Sequence, residues 1–395
     1  MTEHELREAS LDGLASRLME DGALTSDWLG AFKAVPRELF VPDLMWPGKA
    51  KGTGTGQGDA LDRNENPEAW FEAVYSDVSL TTQWDDGQHS GTGKGRTPTC
   101  SNSQPSMVFS MLAALDVQVT SRVLEIGTGT GWNAALLSER VGPSNVFSVE
   151  VDEENAKAAR ERIESAGYRP TLIVGDGFEG YREGAPYDRV LVTAALTEVP
   201  HRVIGQVRTG GVIVAPYATT YGGEGVVRLT VQRDGSAVGP FVSSSAFMRL
   251  RQQRQKRRHV REYLGGKKWP ADGVQSMTSV SPELIGDWLP MFAIGLQTQG
   301  VFPWAENYDD GSYTLWLRDT AVTSWATVDY EPGREEFEVY QSGPRDLWDE
   351  VVVAYLRWDA QGRPGFEQFG LTVDGETGEH TPWLGSPDHP LRIVD

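Results

Sequence analysis

The sequence contains few of the residues that build disulfide frameworks, metal centres or membrane spans. It has one cysteine, Cys100, and six histidines that are scattered without metal-ligand spacing. A single cysteine excludes an internal disulfide and a multi-cysteine zinc site, and no metal-binding residues are predicted. No stretch approaches the roughly 18 apolar residues of a membrane span, and the polar N-terminus has no apolar signal core. The expected location is therefore the cytoplasm.

Positive charge is also scarce. The 395 residues include 36 Lys and Arg against 56 Asp and Glu, which gives a formal net charge of −20. Such a charge repels polyanions, so general binding to nucleic acid or to anionic membranes is not expected. The length predicts two domains or three, with enough apolar residues, 39%, for a substantial core.

A glycine-rich turn is the most informative stretch. Residues 121–132 read S-R-V-L-E-I-G-T-G-T-G-W, in which a short buried-strand pattern leads into Gly127, Gly129 and Gly131. A helix is predicted over 132–140. Glycines let a ligand approach the backbone closely, and the free N–H groups at a helix start suit polar or anionic groups. Strand, turn and helix together predict a nucleotide site.

The register of this turn decides which nucleotide is indicated. A dinucleotide fingerprint counted from the strand end requires Gly or Ala where the chain has Trp132, and a match that begins at Gly129 starts too far past the strand. Glu150 ends the next predicted strand, 19 residues beyond Gly131. A carboxylate there can accept hydrogen bonds from both hydroxyls of a ribose. The alternatives are another nucleotide or a purely structural turn.

Strand and helix patterns alternate after the turn. Strands are predicted at 145–151, 171–177, 187–195 and 210–216, a helix at 153–167, and a hairpin at 226–242. This alternation predicts a doubly wound parallel sheet with ligands at the carboxyl ends of its strands.

Three segments before the turn also carry signals. Ser103 is followed by Gln-Pro and an apolar run, which predicts that it caps a helix. The motif A-V-P-R-E-L-F-V-P occupies residues 34–42. Glycine-rich polar insertions near 47–66 and 84–98 are expected to be either solvated loops or lids that close over a bound peptide.

Together, the E-x-G-x-G-x-G, S-Q-P and V-P-R-E-L-F-V-P motifs resemble the protein L-isoaspartyl O-methyltransferase family over residues 10–248. The resemblance implies a Rossmann-like α/β class I methyltransferase sheet with an N-terminal helical segment. It also implies S-adenosyl-L-methionine as cofactor and S-adenosyl-L-homocysteine as product. The implied cofactor-binding residues are Cys100, Ser101, Asn102, Ser103, Glu125, Gly127, Gly129, Gly131, Glu150, Asp176, Gly177 and Thr193.

The resemblance also implies the chemistry. Ser103 is the implied catalytic residue, which binds the substrate as a hydrogen-bond donor that orients the acceptor oxygen. A carboxylate acceptor is already ionised at neutral pH, so no strong base is required. Glu150 is expected to bind the ribose, and Asp176 with Gly177 the adenine.

The substrate is less defined than the reaction. The long chain resembles methyltransferases that accompany ATP-grasp (graspetide) or lanthipeptide precursor peptides. This predicts methylation of an aspartate side chain in a ribosomally made peptide, with the ester then cyclising to an aspartimide. One alternative is a repair methyltransferase acting on L-isoaspartyl residues of damaged proteins, and another is a non-catalytic peptide-binding module.

The chain continues beyond the predicted catalytic domain, 1–248. Residues 249–261 carry seven basic residues and no acidic one, and are expected to form a basic connector. Arg254, Arg257 and Arg258 are candidate substrate-binding residues for an acidic partner; the alternative is a solvated connecting helix. Residues 262–395 hold eight of the 13 tryptophans and are expected to form an α+β accessory domain, a candidate for peptide recognition.

Overall fold

The structure, a computed structural model, describes residues 3–49, 57–256 and 258–394. The helices are α1 Glu3–Glu20, α2 Ser26–Ala34, α3 Pro67–Val74, α4 Pro105–Leu115, α5 Trp132–Val141, α6 Glu153–Ser165, α7 His201–Ile204, α8 Val260–Tyr263, α9 Trp288–Gly295 and α10 Leu347–Ala360. Within the described ranges, none of them combines the length and hydrophobicity that crossing a membrane requires.

The strands of the first half are β1 Leu44–Pro47, β2 Leu61–Asp62, β3 Leu80–Trp84, β4 Pro98–Asn102, β5 Val123–Ile126, β6 Val146–Glu150, β7 Thr171–Val174, β8 Tyr187–Val192 and β9 Val207–Ala218. Those of the second half are β10 Glu224–Val231, β11 Ala237–Ser244, β12 Val274–Thr278, β13 Val301–Asn307, β14 Tyr313–Asp319, β15 Trp325–Tyr330, β16 Phe337–Ser342, β17 Phe369–Val373 and β18 His380–Leu384.

A nine-stranded central sheet has the order β18-β17-β11-β10-β9-β8-β5-β6-β7. The five strands from β9 to β7 are parallel, and the other four are antiparallel. All residues of β5 and β6 are buried, as expected for parallel strands covered on both faces. The predicted α/β Rossmann-like fold is confirmed.

A second, four-stranded antiparallel sheet, β2-β1-β3-β4, lies in the region predicted to contain loop insertions. In the first insertion, Gly48 bridges to Gln57, and residues 50–56 lie outside the described part of the chain. The second insertion joins β3 to β4, and its base is closed by Asp85, whose carboxylate accepts from the N–H groups of Arg96 and Thr97. Both insertions are therefore anchored at their ends by strand pairing.

The C-terminal part adds a five-stranded antiparallel sheet, β12-β16-β15-β14-β13, and α10. Its last two strands, β17 and β18, instead extend the central sheet, with Ala237 of β11 paired to Val373. The sequence prediction assigned residues 262–395 to a separate domain, but the open edge of β11 pairs with β17, which in turn pairs with β18. The division into 1–248, 249–261 and 262–395 otherwise stays a prediction.

Candidate active site

A cavity of about 830 Å³ opens at the carboxyl ends of the parallel strands. Its floor is the turn after β5, and β4 with the start of α4 forms another side. Residues after β11 and the first residue of α9 also line it. The carboxyl edge of a doubly wound sheet is where ligands bind in this type of fold.

The glycine turn has the backbone that its sequence predicts. Gly127, Gly129 and Gly131 have φ angles of +100°, +54° and +94°, which L side chains rarely adopt. A Cβ on Gly127 would lie 2.5 Å from Oγ1 of Thr193, and one on Gly131 would lie 2.9 Å from Ile163. A Cβ on Gly129, which lines the cavity, would instead meet no atom closer than 3.6 Å. Two of these glycines thus serve close packing, and Gly129 leaves space for a ligand.

Glu150 lies at the end of β6 and joins the turn to the next helix. Its Oε2 accepts from the N–H of Gly129 at 2.8 Å, and its Oε1 accepts from the N–H of Asp152 at 3.1 Å. Burial raises the pKa of Glu150, and these two hydrogen bonds oppose the rise. The carboxylate lines the cavity in a fixed orientation, which fits the predicted ribose role.

Glu125 lies in β5 beneath the turn, is fully buried and does not line the cavity. The hydroxyl of Ser148 donates to its Oε2 at 2.5 Å, and burial raises the pKa of Glu125 to about 8. The geometry therefore supports a structural role for Glu125 under the turn, whereas the prediction had it bind the cofactor.

Glu125 is expected to make stability depend on pH. Its ordinary pKa is 4.5, so between pH 4.5 and about 8 the folded protein holds a proton that the unfolded chain releases. Stability attributable to this group then falls as pH rises, by up to about 1.4 kcal/mol per pH unit. Glu125→Gln should reduce the loss in free energy of unfolding between about pH 6 and 8. Urea denaturation at both pH values tests this, and an unchanged loss contradicts it.

A buried residue of the V-P-R-E-L-F-V-P motif, Arg37, holds the segment around Ser103 in place. Arg37 donates from Nε to Oδ1 of Asn102 at 2.7 Å and from Nη2 to the carbonyl of Ser103 at 2.9 Å. Asn102 in turn donates to Oγ1 of Thr130 in the glycine turn, at 2.9 Å. This chain of hydrogen bonds fixes the serine segment relative to the turn across the cavity.

Ser103 does not cap α4, contrary to the sequence prediction. The N-cap is Gln104, and the carboxylate of Asp77 accepts from the N–H of Ser106 at 2.8 Å and from the side-chain amide of Gln104 at 2.9 Å. Because Asp77 supplies the cap from another segment, the side chain of Ser103 is not used for capping and lines the cavity.

Most of the predicted cofactor-binding residues meet in this cavity. Those that line it are Cys100, Ser101, Asn102, Ser103, Gly127, Gly129, Glu150, Gly177 and Thr193. Glu125, Gly131 and Asp176 do not line it, and the carboxylate of Asp176 accepts from the N–H of Phe178. Burial raises the pKa of Cys100 to about 12, so its thiol stays protonated and is no nucleophile.

The basic segment 249–261 is not the continuous helix considered from its sequence. Arg251 forms ion pairs at 3.1 Å with Asp86 and with Asp152, and Arg254 pairs with Asp86 at 2.8 Å. Of the candidate substrate-binding arginines, Arg254 lines the cavity, and Arg258 pairs with Glu262 and does not. The third, Arg257, lies outside the described residues. The pairs through Asp86 join the 84–98 insertion to Arg251 and Arg254, which both line the cavity.

Several residues of the cavity carried no sequence signal. Glu224 and Trp288 line it, and each lies outside the recognised motifs and the basic segment. Only their contacts in the fold identify them. Among the described residues, no group of three or more His, Cys, Asp or Glu side chains is arranged to hold a metal ion.

Comparison with known proteins agrees with this geometry. The family profile described as protein-L-isoaspartate(D-aspartate) O-methyltransferase matches residues 59–255. A protein-L-isoaspartate O-methyltransferase of Hyperthermus butylicus is 35% identical over 219 residues, which is 53% of this chain and 75% of that protein. One of Pelobacter propionicus is 43% identical over 223 residues, 56% of this chain and 80% of the relative.

A solved protein-L-isoaspartate O-methyltransferase structure matches 95% of this chain and all of its own, with a TM-score of 0.52 and 20% identity. At that identity the match shows the fold alone. Because it leaves out only 5% of this chain, it extends into the part after residue 261.

The chain therefore belongs to the protein-L-isoaspartate O-methyltransferase family. It is an S-adenosyl-L-methionine-dependent carboxyl O-methyltransferase. The residues present fit that cofactor, because Gly129 keeps its Cβ position open to the cavity and Glu150 presents a buried carboxylate beside it.

Proposed function

We propose that this enzyme methylates the α-carboxylate of L-isoaspartyl residues in proteins and peptides. The observation that carries the proposal is that one cavity joins the glycine turn to the Ser103 segment, which Arg37 and Asn102 hold in place. The relatives' names support isoaspartate as the acceptor, because both matched proteins are described by that activity.

In this mechanism the chain positions two reactants and excludes water. When bound, the cofactor would supply a methyl group that its sulfonium sulfur makes electrophilic toward an acceptor oxygen. Glu150 would accept from ribose hydroxyls, and the backbone of Gly177, which lines the cavity, would contact the adenine. The hydroxyl of Ser103 would donate a hydrogen bond that orients the acceptor carboxylate. Such an acceptor is ionised at neutral pH, so no general base is needed. The rate enhancement comes from aligning the two reactants and removing water from them.

The ester then reacts further without the enzyme. The backbone nitrogen of the following residue attacks the ester carbonyl, the nitrogen loses its proton, and methanol leaves as a five-membered succinimide forms. Hydrolysis of that ring gives aspartyl and isoaspartyl products, so repeated cycles convert isoaspartate to aspartate.

Peptide tailoring is the second candidate. It is supported by Trp288, which the C-terminal part contributes to the cavity, and by the insertion that Asp86 joins to two arginines of the cavity lining. The C-terminal part alone does not favour tailoring over repair, since the match to a solved family member extends into it. In the tailoring reaction the acceptor would be an aspartate side chain of a dedicated graspetide or lanthipeptide precursor.

Intact-mass analysis with S-adenosyl-L-methionine separates the two candidates. The proposal expects an isoaspartyl hexapeptide to gain one methylene and then to show a net loss of one water, while the matched aspartyl peptide stays unchanged. Turnover of aspartyl precursor peptides without turnover of the isoaspartyl peptide would instead establish tailoring. A chain that binds the cofactor but methylates neither peptide would contradict both.

Replacing Ser103 by alanine is expected to slow transfer and to leave cofactor affinity unchanged. Loss of a hydrogen bond to a charged acceptor costs about 1.5–3 kcal/mol, which corresponds to a decrease in kcat/KM on the order of 10- to 100-fold. Ser106→Ala is the matched control, because Ser106 lies in the same helix start but does not line the cavity. Equal kcat/KM in wild type and Ser103→Ala would remove Ser103 from the mechanism.

A further inference from the structure

The lining of the cavity includes a buried carboxyl and an exposed indole that have no part in the proposed mechanism. Glu224 is the first residue of β10 and is 5% exposed, whereas Trp288 is the first residue of α9 and is 45% exposed. Both line the cavity that contains Ser103. The two residues come from opposite sides of the predicted boundary at residue 261.

The carboxyl of Glu224 is oriented by its neighbours. Its Oε1 accepts from the hydroxyl of Ser245 and from the N–H of Phe247, both at 2.8 Å. Within the described part of the chain, its other oxygen, Oε2, has no hydrogen-bond partner. Burial raises the pKa of Glu224 to about 7, and the charge of Arg249 opposes that rise. Oε2 is not one of the fully buried atoms that lack a partner, so it is accessible from the cavity and can accept a hydrogen bond from a ligand.

Trp288 is held in place by tight packing between α9 and the turn that precedes Glu224. A Cβ on Gly223 would lie 2.4 Å from the backbone nitrogen of Phe292, and one on Gly222 would lie 2.2 Å from the end of the Met291 side chain. The turn and the helix therefore touch backbone to backbone. The packing of α9 against this turn therefore fixes the position from which the indole of Trp288 reaches the cavity.

We propose that Glu224 and Trp288 form a subsite for the residue next to the acceptor in a peptide substrate. Oε2 of Glu224 accepts a main-chain N–H of that residue, and the indole packs against its side chain. The ligand class is an extended peptide rather than a free amino acid. This inference rests on the proposed function, because it takes the acceptor to be a peptide carboxylate.

The chemistry of Glu224 and Trp288 does not suit a contact with the acceptor carboxylate. The ionised form of Glu224, which is the form that accepts an N–H at Oε2, would repel the acceptor carboxylate. An indole supplies a broad apolar face, which suits a side chain of a peptide more than the charged acceptor. Peptide main chain, in contrast, offers one N–H donor at every residue other than proline.

The test combines enzyme variants with a shortened acceptor. Glu224→Gln keeps an oxygen that accepts from Ser245 and Phe247 but replaces Oε2 with an NH₂ group. The NH₂ group cannot accept the main-chain N–H of the substrate, because both groups are hydrogen-bond donors. Trp288→Ala removes the apolar face. Both are expected to raise KM for an isoaspartyl hexapeptide by about tenfold or more, with little change in kcat. For N-acetyl-L-aspartic acid β-methyl ester, which keeps the free α-carboxylate but lacks both the neighbouring residue and its N–H, the effect should shrink to less than about twofold.

Three controls make the result decisive. Trp304→Ala removes another tryptophan of similar exposure, 40%, that does not line the cavity, and it should leave KM unchanged. Calorimetry should give wild-type affinity for S-adenosyl-L-homocysteine in both site variants. A loss of that affinity would assign Glu224 to the cofactor and overturn the subsite, as would equal effects on the hexapeptide and the short acceptor. If the wild type methylated neither acceptor, the proposed function itself would fail.

Discussion

A Gly129→Val variant is expected to lose detectable binding of S-adenosyl-L-methionine while it still folds. The Cβ would lie at ordinary contact distance, 3.6 Å from the carbonyl of Ser101 and 3.7 Å from Sγ of Cys100. The valine side chain would thus fill the space between the turn and β4 without a clash that prevents folding. Overfilling a fitted site costs about 3 kcal/mol, which corresponds to binding weakened by more than about 100-fold.

Gly265→Val is the matched control for this variant. Gly265 has a φ of +57°, close to the +54° of Gly129, and nothing lies within 4 Å of its Cβ position. Both variants should lose roughly 1–2 kcal/mol of stability from the left-handed backbone conformation. Calorimetric titration should show binding only in the Gly265 variant. Wild-type affinity in Gly129→Val would show that the turn does not contact the cofactor.

The parallel core of the fold could be predicted from sequence because its signals are local. Buried parallel strands are short apolar runs, and β5 follows directly into glycines whose φ angles no other residue adopts easily. The antiparallel strands β17 and β18 were harder to place. The sequence pattern of β17 does not show that it pairs with β11, more than 120 residues earlier, or that β18 then pairs with β17.

The sequence predicted those residues of the candidate site that belong to local motifs. It did not predict the residues that only tertiary contacts bring to the cavity. The turn, Glu150 and Ser103 were identified from patterns within a few residues of each. Glu224 and Trp288 have no such pattern, and only the packing of α9 on the turn before β10 brings them to the cavity. The capping role assigned to Ser103 was wrong because Asp77, from a distant segment, competes for the helix N–H groups.

Ion pairs explain why residues 249–261 do not form the continuous helix considered from the sequence. A helix would place Arg251, Arg254 and Arg258 on one face, where like charges repel. In the structure Arg251 and Arg254 instead turn to Asp86 and Asp152. In a chain with a net charge of −20, acidic partners are available on many surfaces, and sequence spacing alone does not show which of them an arginine meets.

Replacing Arg37 by methionine is expected to cause the largest loss of stability among the predicted variants. Arg37 is fully buried and donates six hydrogen bonds, to the carbonyls of Val74, Ser76, Val78, Asn102 and Ser103 and to the side chain of Asn102. Methionine fills similar space but leaves these acceptors unpaired. Breaking a buried network of this kind costs about 3–5 kcal/mol. Urea denaturation measures this loss.

Replacing Arg37 should also lower kcat/KM. A similar loss of stability caused outside the cavity should leave kcat/KM unchanged. Arg189→Met removes another buried arginine, one that bonds to Asp116 and lies outside the cavity, so it should lower stability with wild-type kcat/KM in the folded protein. Arg37→Lys, which keeps the charge with three donors and without the planar fork, should be folded enough for kinetics. Its kcat/KM should fall to a similar extent as that of Ser103→Ala, because the carbonyl of Ser103 loses the hydrogen bond that holds the serine segment in place. Wild-type kcat/KM in Arg37→Lys would mean that the serine segment holds its position without Arg37.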